Sequence, residues 1–194
     1  MWAHVRAWFT DNHREMLLRI SPGRWQSEAV DAAHSILGWG EEGANNQGPD
    51  LDILRRGRKL KPWQSGSWCA TAMSWVIEES WARTQGFSRW DWMTEQRQVL
   101  CPIKRTPSAL RLANRIAKAG CLVGEGDVAP GDFALWKRSG GHHIGIVVDV
   151  RADSFTTIEG NKGRFNRKTK RGSKVRKFKH EFGEPSFKFF ARLP

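Results

Sequence analysis

The chain has 194 residues, 39% of them hydrophobic and eleven of them tryptophan, which supports one packed domain and excludes both a disordered chain and two full-sized domains. Its net charge of +12 is uneven, because twelve Lys or Arg against two Glu from Lys162 onward supply +10 of it, and such a block attracts polyanions. No apolar run reaches the roughly eighteen residues of a membrane span, the charged N-terminus lacks an export-signal pattern, and three cysteines without Cys-x-x-Cys spacing suit a reducing site of synthesis better than a disulfide scaffold.

In chain order, the first stretch reads as an amphipathic helix with Val5, Trp8, Phe9, Met16 and Leu17 inward, interrupted by Pro22 and Gly23. A second helix starts at Trp25, with Val30, Ala33, Ile36 and Leu37 on one face. The segment GEEGANNQGPD is a loop by composition, a short helix follows in LDILRRGRKL, and KPWQSGS is a second loop. From Cys69 to about Arg83 the spacing of Met73, Val76 and Ile77 predicts a helix, with Ser65 or Ser67 as its N-cap. Residues 84–106 read as loop with short helical turns, and TPSALRLANRIAKAG as a helix with Pro107 in its first turn, Leu110, Leu112 and Ile116 as apolar positions, and Gly120 at its end. The pattern then alternates, so GDFALWK, HIGIVVDV, SFTTIEG, KVRKFKH and FKFFARL read as strands. Helices followed by an antiparallel sheet make an α+β fold, and the basic close, which holds six of the ten phenylalanines, reads as hairpin strands with cationic outer faces.

The cysteine at the start of the 69–83 helix stands where chemistry is possible. A helix N-terminus or a neighbouring imidazolium favours the thiolate, the nucleophilic form of cysteine. Cys101 and Cys121 flank the 107–119 helix without such a setting and read as structural. In GGHHIGIVVDV, alternation puts His143, Gly145, Val147 and Asp149 on one face, with His142, Ile144, Ile146 and Val148 on the other. A glycine two residues after His143 offers room for a helix N-terminus to approach the ring. Sixteen residues on, IEGN supplies Glu159 and Asn161, either of which can hold the ring through Nδ1.

A Cys at a helix start, then PGDFALW, then a His-His-x-Gly-Ile-Val strand, then IEGN: this order resembles the CHAP family, the cysteine- and histidine-dependent amidohydrolases and peptidases of the NlpC/P60 group. The resemblance runs from about Trp25 to Pro194. It implies a papain-like fold, N-terminal helices packed on a C-terminal antiparallel sheet, with residues 1–24 as a helical extension and 25–194 as the catalytic domain, its basic strands at 162–194. It also implies cleavage of amide bonds in the peptide of bacterial peptidoglycan, as an N-acetylmuramoyl-L-alanine amidase or an endopeptidase, by a phage-type lysin. In the carried-over roles Cys69 is the nucleophile, His143 the general base and then acid, and Glu159 the orienting residue with Asn161 beside it. Asp132 is a structural turn residue, and Glu42 and Asn46 border the groove. The oxyanion donors are the backbone N–H of Cys69 and, as a candidate second, Gln64; Trp68 adjoins them.

KPWQSGSW lacks the carboxylates that calcium-binding relatives carry before the cysteine, so neither metal nor cofactor is expected. The basic stretch with Lys168, Lys170, Arg171, Lys174, Arg176 and Lys177 is expected to hold a monomeric enzyme on anionic wall polymers or an outer-membrane surface. Without a signal peptide, the expected route is cytoplasmic synthesis followed by release to the wall or incorporation in a virion. Two rival readings stand beside this one. His142 and Asp149, with Gly145 between, resemble the ligand strand of some zinc D,D-peptidases, although His180 lacks the spacing of a third ligand. The basic, aromatic close also suits a non-enzymatic nucleic-acid- or envelope-binding protein.

Overall fold

The computed structural model describes residues 23–55, 67–86 and 101–194; the expected N-terminal helix, Gln64 and Ser65 lie outside them. Helix α1 (Arg24–Ser35) leaves Gly23, whose φ of 80° is left-handed, and buries Trp25, Ala29, Ala32 and Ala33. Those alanines let it lie close to helix α3 (Cys69–Thr84), and Trp25 closes the seam by donating Nε1–H to Ser80 Oγ at 2.9 Å and packing its ring 4.8 Å from that of Trp81. Of the face expected to turn inward, Ala33 and Ile36 are fully buried, while Val30 is only partly buried and Leu37 is exposed. Strand β1 (Gly40–Glu42) lies inside the segment that reads as loop, and helix α2 (Pro49–Leu54) follows it.

Every residue of α3 except Thr71 and Arg83 is buried, as befits a helix enclosed on all sides. Its buried carboxylates are partnered, Glu79 by Arg83 at 3.1 Å and Glu78 by Arg105 at 3.3 Å. Helix α4 (Ala109–Ala119) is capped by Ser108, whose Oγ accepts from the Arg111 amide at 3.4 Å, so Pro107 precedes the cap. Its buried stripe is Ala109, Leu112, Ala113 and Ile116, with Leu110 turned out.

Among the described residues, β1, β2 (Cys121–Val123), β3 (Phe133–Arg138), β4 (Gly141–Val150), β5 (Ser154–Lys162), β6 (Arg171–Glu181) and β7 (Phe187–Arg192) form one antiparallel sheet in the order β1-β6-β5-β4-β3-β7-β2. The architecture is α+β. Alternation divides the sheet's side chains. Phe133, Leu135, Ile144, Ile146, Ile158 and Val175 join the helical core, whereas Ala134, Trp136, Val147, Phe155 and Phe190 form a second cluster on the opposite face. At the sheet's far side Asp132, fully buried, accepts a bidentate pair of 2.8 Å bonds from Arg192 and a 2.8 Å bond from the Ala129 amide, which fixes the Pro-Gly-Asp turn ahead of β3.

The basic close is ordered as β6 and β7, but its cations do not share one face. Lys177 neighbours His34 of α1, Lys174 packs its stem beside Gly40 of β1, and Arg176 stands opposite Glu159 in the β5–β6 register. Lys168 and Lys170 lie in the turn between β5 and β6, and Arg171 opens β6; all three are exposed.

Candidate active site

Cys69 is the first residue of α3, and the residue ahead of it, Trp68, caps the helix without any side-chain hydrogen bond. The expected serine cap is not used: the Ser67 hydroxyl turns to the Cys69 sulfur, 3.3 Å away. An uncapped start leaves the first amides of α3 as donors, including that of Cys69, and puts the positive end of the helix dipole at the thiol. Trp68 is pinned by its own Nε1–H, donated at 3.1 Å to Glu41 Oε1.

His143 stands near the start of β4 beside Trp136 of β3, and its Nε2–H donates to Glu159 Oε2 at 2.6 Å. The carboxylate therefore takes Nε2 rather than the expected Nδ1, and Nδ1 is left as the ring nitrogen for the thiol. The role expected of Gly145 belongs to another glycine. A side chain at Gly145 would strike Glu159 Cγ, so this glycine makes room for the carboxylate. The close approach of α3 is permitted by Gly160, where an added carbon would stand 2.8 Å from Ala72 and 2.9 Å from the Trp68 ring.

Glu159 is fully buried and accepts four donors. Oε1 takes Thr157 Oγ1–H at 2.7 Å and His180 Nε2–H at 2.6 Å, while Oε2 takes His143 and, at 2.6 Å, the Lys162 ammonium. That fills the hydrogen-bonding capacity of a carboxylate. His180, on β6, extends the chain of contacts to Glu184, whose Oε1 lies 3.1 Å from Nδ1. Sequence reasoning missed His180 because its partner is reached across the β5–β6 pairing, twenty-one residues away along the chain. Asn161, in left-handed backbone with φ 61°, does not touch the ring; its Nδ2–H donates to Ser67 Oγ at 2.7 Å and so holds the hydroxyl that meets the thiol.

The electrostatics of the thiol and the ring act on each other. Burial is the largest influence on Cys69 and pushes the thiol up, but the His143 ring, the Ser67 hydroxyl and the Ile144 amide together outweigh it and bring the thiol below the ordinary cysteine value. For His143 burial favours the neutral ring, yet hydrogen bonds and charge from Cys69 and Glu159 prevail and raise it. Burial also disfavours the Glu159 anion, and the bonds from His143 and His180 with the charges of His143 and Lys162 reverse that, holding it far below the usual carboxylate range. Thiol down and imidazole up both favour moving the proton from sulfur to the ring.

Next to the thiol opens a cleft of about 500 Å³, with Ser67 and Asn161 in its wall and Glu41, Asn46, Arg164 and Arg167 around them. Asn46 lies in the lining of the cleft, whereas Glu42 is exposed and outside it, and its neighbour Glu41 takes that place. Glu41 was hidden in a segment whose composition reads as loop; burial in β1 and room left by Gly172 bring it inward.

The zinc reading does not survive the geometry. His142 and Asp149 are seven residues apart on one strand, about 20 Å at a strand's rise, too far to share an ion even with the bulge between Val147 and Asp149. Asp149 instead pairs with Arg151 at 3.2 Å in solvent. Cys101 is buried with its sulfur 3.5 Å from the Ile103 carbonyl, and Cys121 is exposed at the start of β2.

No protein-family model and no curated protein matches the sequence. Among solved structures the chain is similar to the P60 domain of an antigen of M. avium subspecies paratuberculosis, at 12% identity and a TM-score of 0.40, over 87% of this chain and 94% of that one. An overlap that loose fixes neither a fold family nor an activity.

Proposed function

We propose that this chain is a cysteine amidohydrolase of the CHAP type on a papain-like fold, cleaving amide bonds in the peptide of bacterial peptidoglycan in the manner of a phage lysin. One observation carries the reading: the Cys69 thiol at an uncapped helix start meets His143, which is held by the buried Glu159 carboxylate at 2.6 Å. The Cys69 thiolate attacks the amide carbonyl carbon, and the developing oxyanion is met by the Cys69 backbone N–H. The His143 imidazolium gives its proton to the leaving amine as the C–N bond breaks. Water, losing a proton to the now neutral ring, then attacks the thioester, frees the carboxylic acid and restores the thiol and ring. Glu159 keeps the ring oriented and its cation stable; Asn161 acts one step further out, through Ser67.

The exposed run Lys168, Lys170 and Arg171, with Lys174, Arg176 and Lys177 behind it, draws the enzyme to anionic envelope polymers, an attraction that weakens with salt. The test of the function is mass spectrometry of purified peptidoglycan digested with and without a zinc chelator. New fragments, indifferent to chelator, are expected, and the amine and acid ends they carry name the bond. Fragments that vanish with chelator, or no fragments, would overturn the reading.

A further inference from the structure

Among the described residues, the lining of the cleft beside the thiol holds two arginines against one carboxylate, a net positive charge. Its acidic group, Glu41, has both oxygens engaged, Oε1 by Trp68 Nε1–H at 3.1 Å and Oε2 by the Ser173 amide at 3.0 Å. Lys162, the nearest cation in sequence, is turned inward to Glu159. Arg164 and Arg167 remain in the lining, both exposed, and among the described residues neither has a carboxylate partner. Across from them Asn46 is fixed in left-handed backbone at φ 57°, its carbonyl held by Arg55 Nη2–H at 2.7 Å, so this rim is organised before any ligand arrives.

Two arginines in one lining with Asn45 and Asn46 suit a planar anion. The wall that this lining shares with the surroundings of the thiol narrows which anion. Ser67 and Asn161 belong both to the cleft wall and to the set of contacts at Cys69, so a peptide whose amide reaches the sulfur passes its neighbouring residue into the cleft. Successive residues of a peptide are about 3.8 Å apart, so a carboxylate one or two residues from the cleaved amide falls within the reach of an arginine. A phosphate of a wall polymer has no such covalent tie to the amide under attack.

We infer that Arg164 and Arg167 form a subsite for a free carboxylate of the substrate peptide, one or two residues from the cleaved amide, and so make the enzyme selective for acidic over amidated peptides. The inference rests on the amidohydrolase reading and specifies its substrate. It is tested by calorimetry on C69A protein, which binds without turnover, with muramoyl-L-alanyl-D-glutamate γ-methylamide, which keeps one free carboxylate, and its amide counterpart, in which the α-carboxyl is amidated as well and none is left. The acid is expected to bind about tenfold or more tightly than the amide, and in C69A/R164Q/R167Q the preference falls to within about twofold. Both arginines are exposed, and thermal unfolding of the triple variant checks that its fold is kept.

Equal affinities with both arginines present, no binding of the acid, or a preference that persists without the arginines would overturn the subsite. So would displacement of the acid by inorganic phosphate as tightly as the acid itself binds, since the site would then be a phosphate site. Turnover by the wild type is read separately. Arginine-dependent acid preference without any cleavage leaves the subsite standing and removes the amidohydrolase; cleavage without preference does the reverse.

Discussion

Alanine at position 69 is expected to remove turnover of peptidoglycan to a residue of roughly 10⁻⁴ to 10⁻⁶ of the wild-type rate, the scale on which loss of a covalent nucleophile is felt. The loss has a chemical origin and leaves the fold in place. Cys69 is 1% exposed, and its replacement deletes a single sulfur from the start of α3, a cost of about 1 kcal/mol. Circular dichroism and thermal unfolding of C69A should therefore match the wild type closely while the rate collapses. Serine at the same position is expected to restore little, because an alcohol does not ionise against an imidazole as a thiol does. Substantial turnover by C69A would transfer the chemistry to another group.

Glutamine in place of Glu159 is expected to lower kcat by about 10³ to 10⁴ and to weaken the fold as well. The carboxylate accepts from Thr157 and His180 on one oxygen and from His143 and Lys162 on the other. A carboxamide of the same shape offers one oxygen and turns N–H groups toward the remaining two donors, and it leaves a half-hidden ammonium without its counter-ion. Removing one member of a buried charged set costs about 3–5 kcal/mol. The sign of the pH effect follows from the direction of the shift. The folded value of Glu159 is depressed, so its stabilising contribution is complete above the usual carboxylate pKa of about 4.3 and is lost as pH falls from there toward the folded value. The gap in melting temperature between wild type and E159Q should accordingly be large at pH 7 and narrow in strong acid. His143 loses a neighbour that raises it, so the alkaline limb of kcat/KM should move to lower pH in E159Q. A variant as stable and as active as the wild type at pH 7 would contradict the role given to this carboxylate.

The strands β3 to β7 were legible because each is wet on one side or at one end, so apolar and polar residues alternate in a way composition alone reveals. β1 and β2 were not, since three residues carry too little pattern and are held by the neighbours they pair with, β6 and β7. The order Cys69, His143, Glu159 was visible along the chain, and the structure brings those three together. What escaped was everything set by register and close packing: the exchange of roles between Gly145 and Gly160, the choice of Nε2 by the carboxylate, the inward turn of Glu41 and the arrival of His180 from β6. The helix faces show the same limit. The inward stripe of α1 includes Ala29 and Ala32 beside the expected Ala33, because close helix contact selects small side chains as readily as large ones.

Whether Cys69 is an activated thiolate paired with His143 is read directly from the pH dependence of its alkylation by iodoacetamide, followed residue by residue by mass spectrometry. The exposed Cys121 gives a reference curve in the same sample. Cys69 is predicted to gain reactivity at a distinctly lower pH than Cys121, and to lose that advantage in His143→Ala, where the cation that stabilises the thiolate is gone. Alkylation of Cys69 that tracks Cys121 across the whole range, or that is unchanged by removal of His143, would contradict the pair and with it the mechanism.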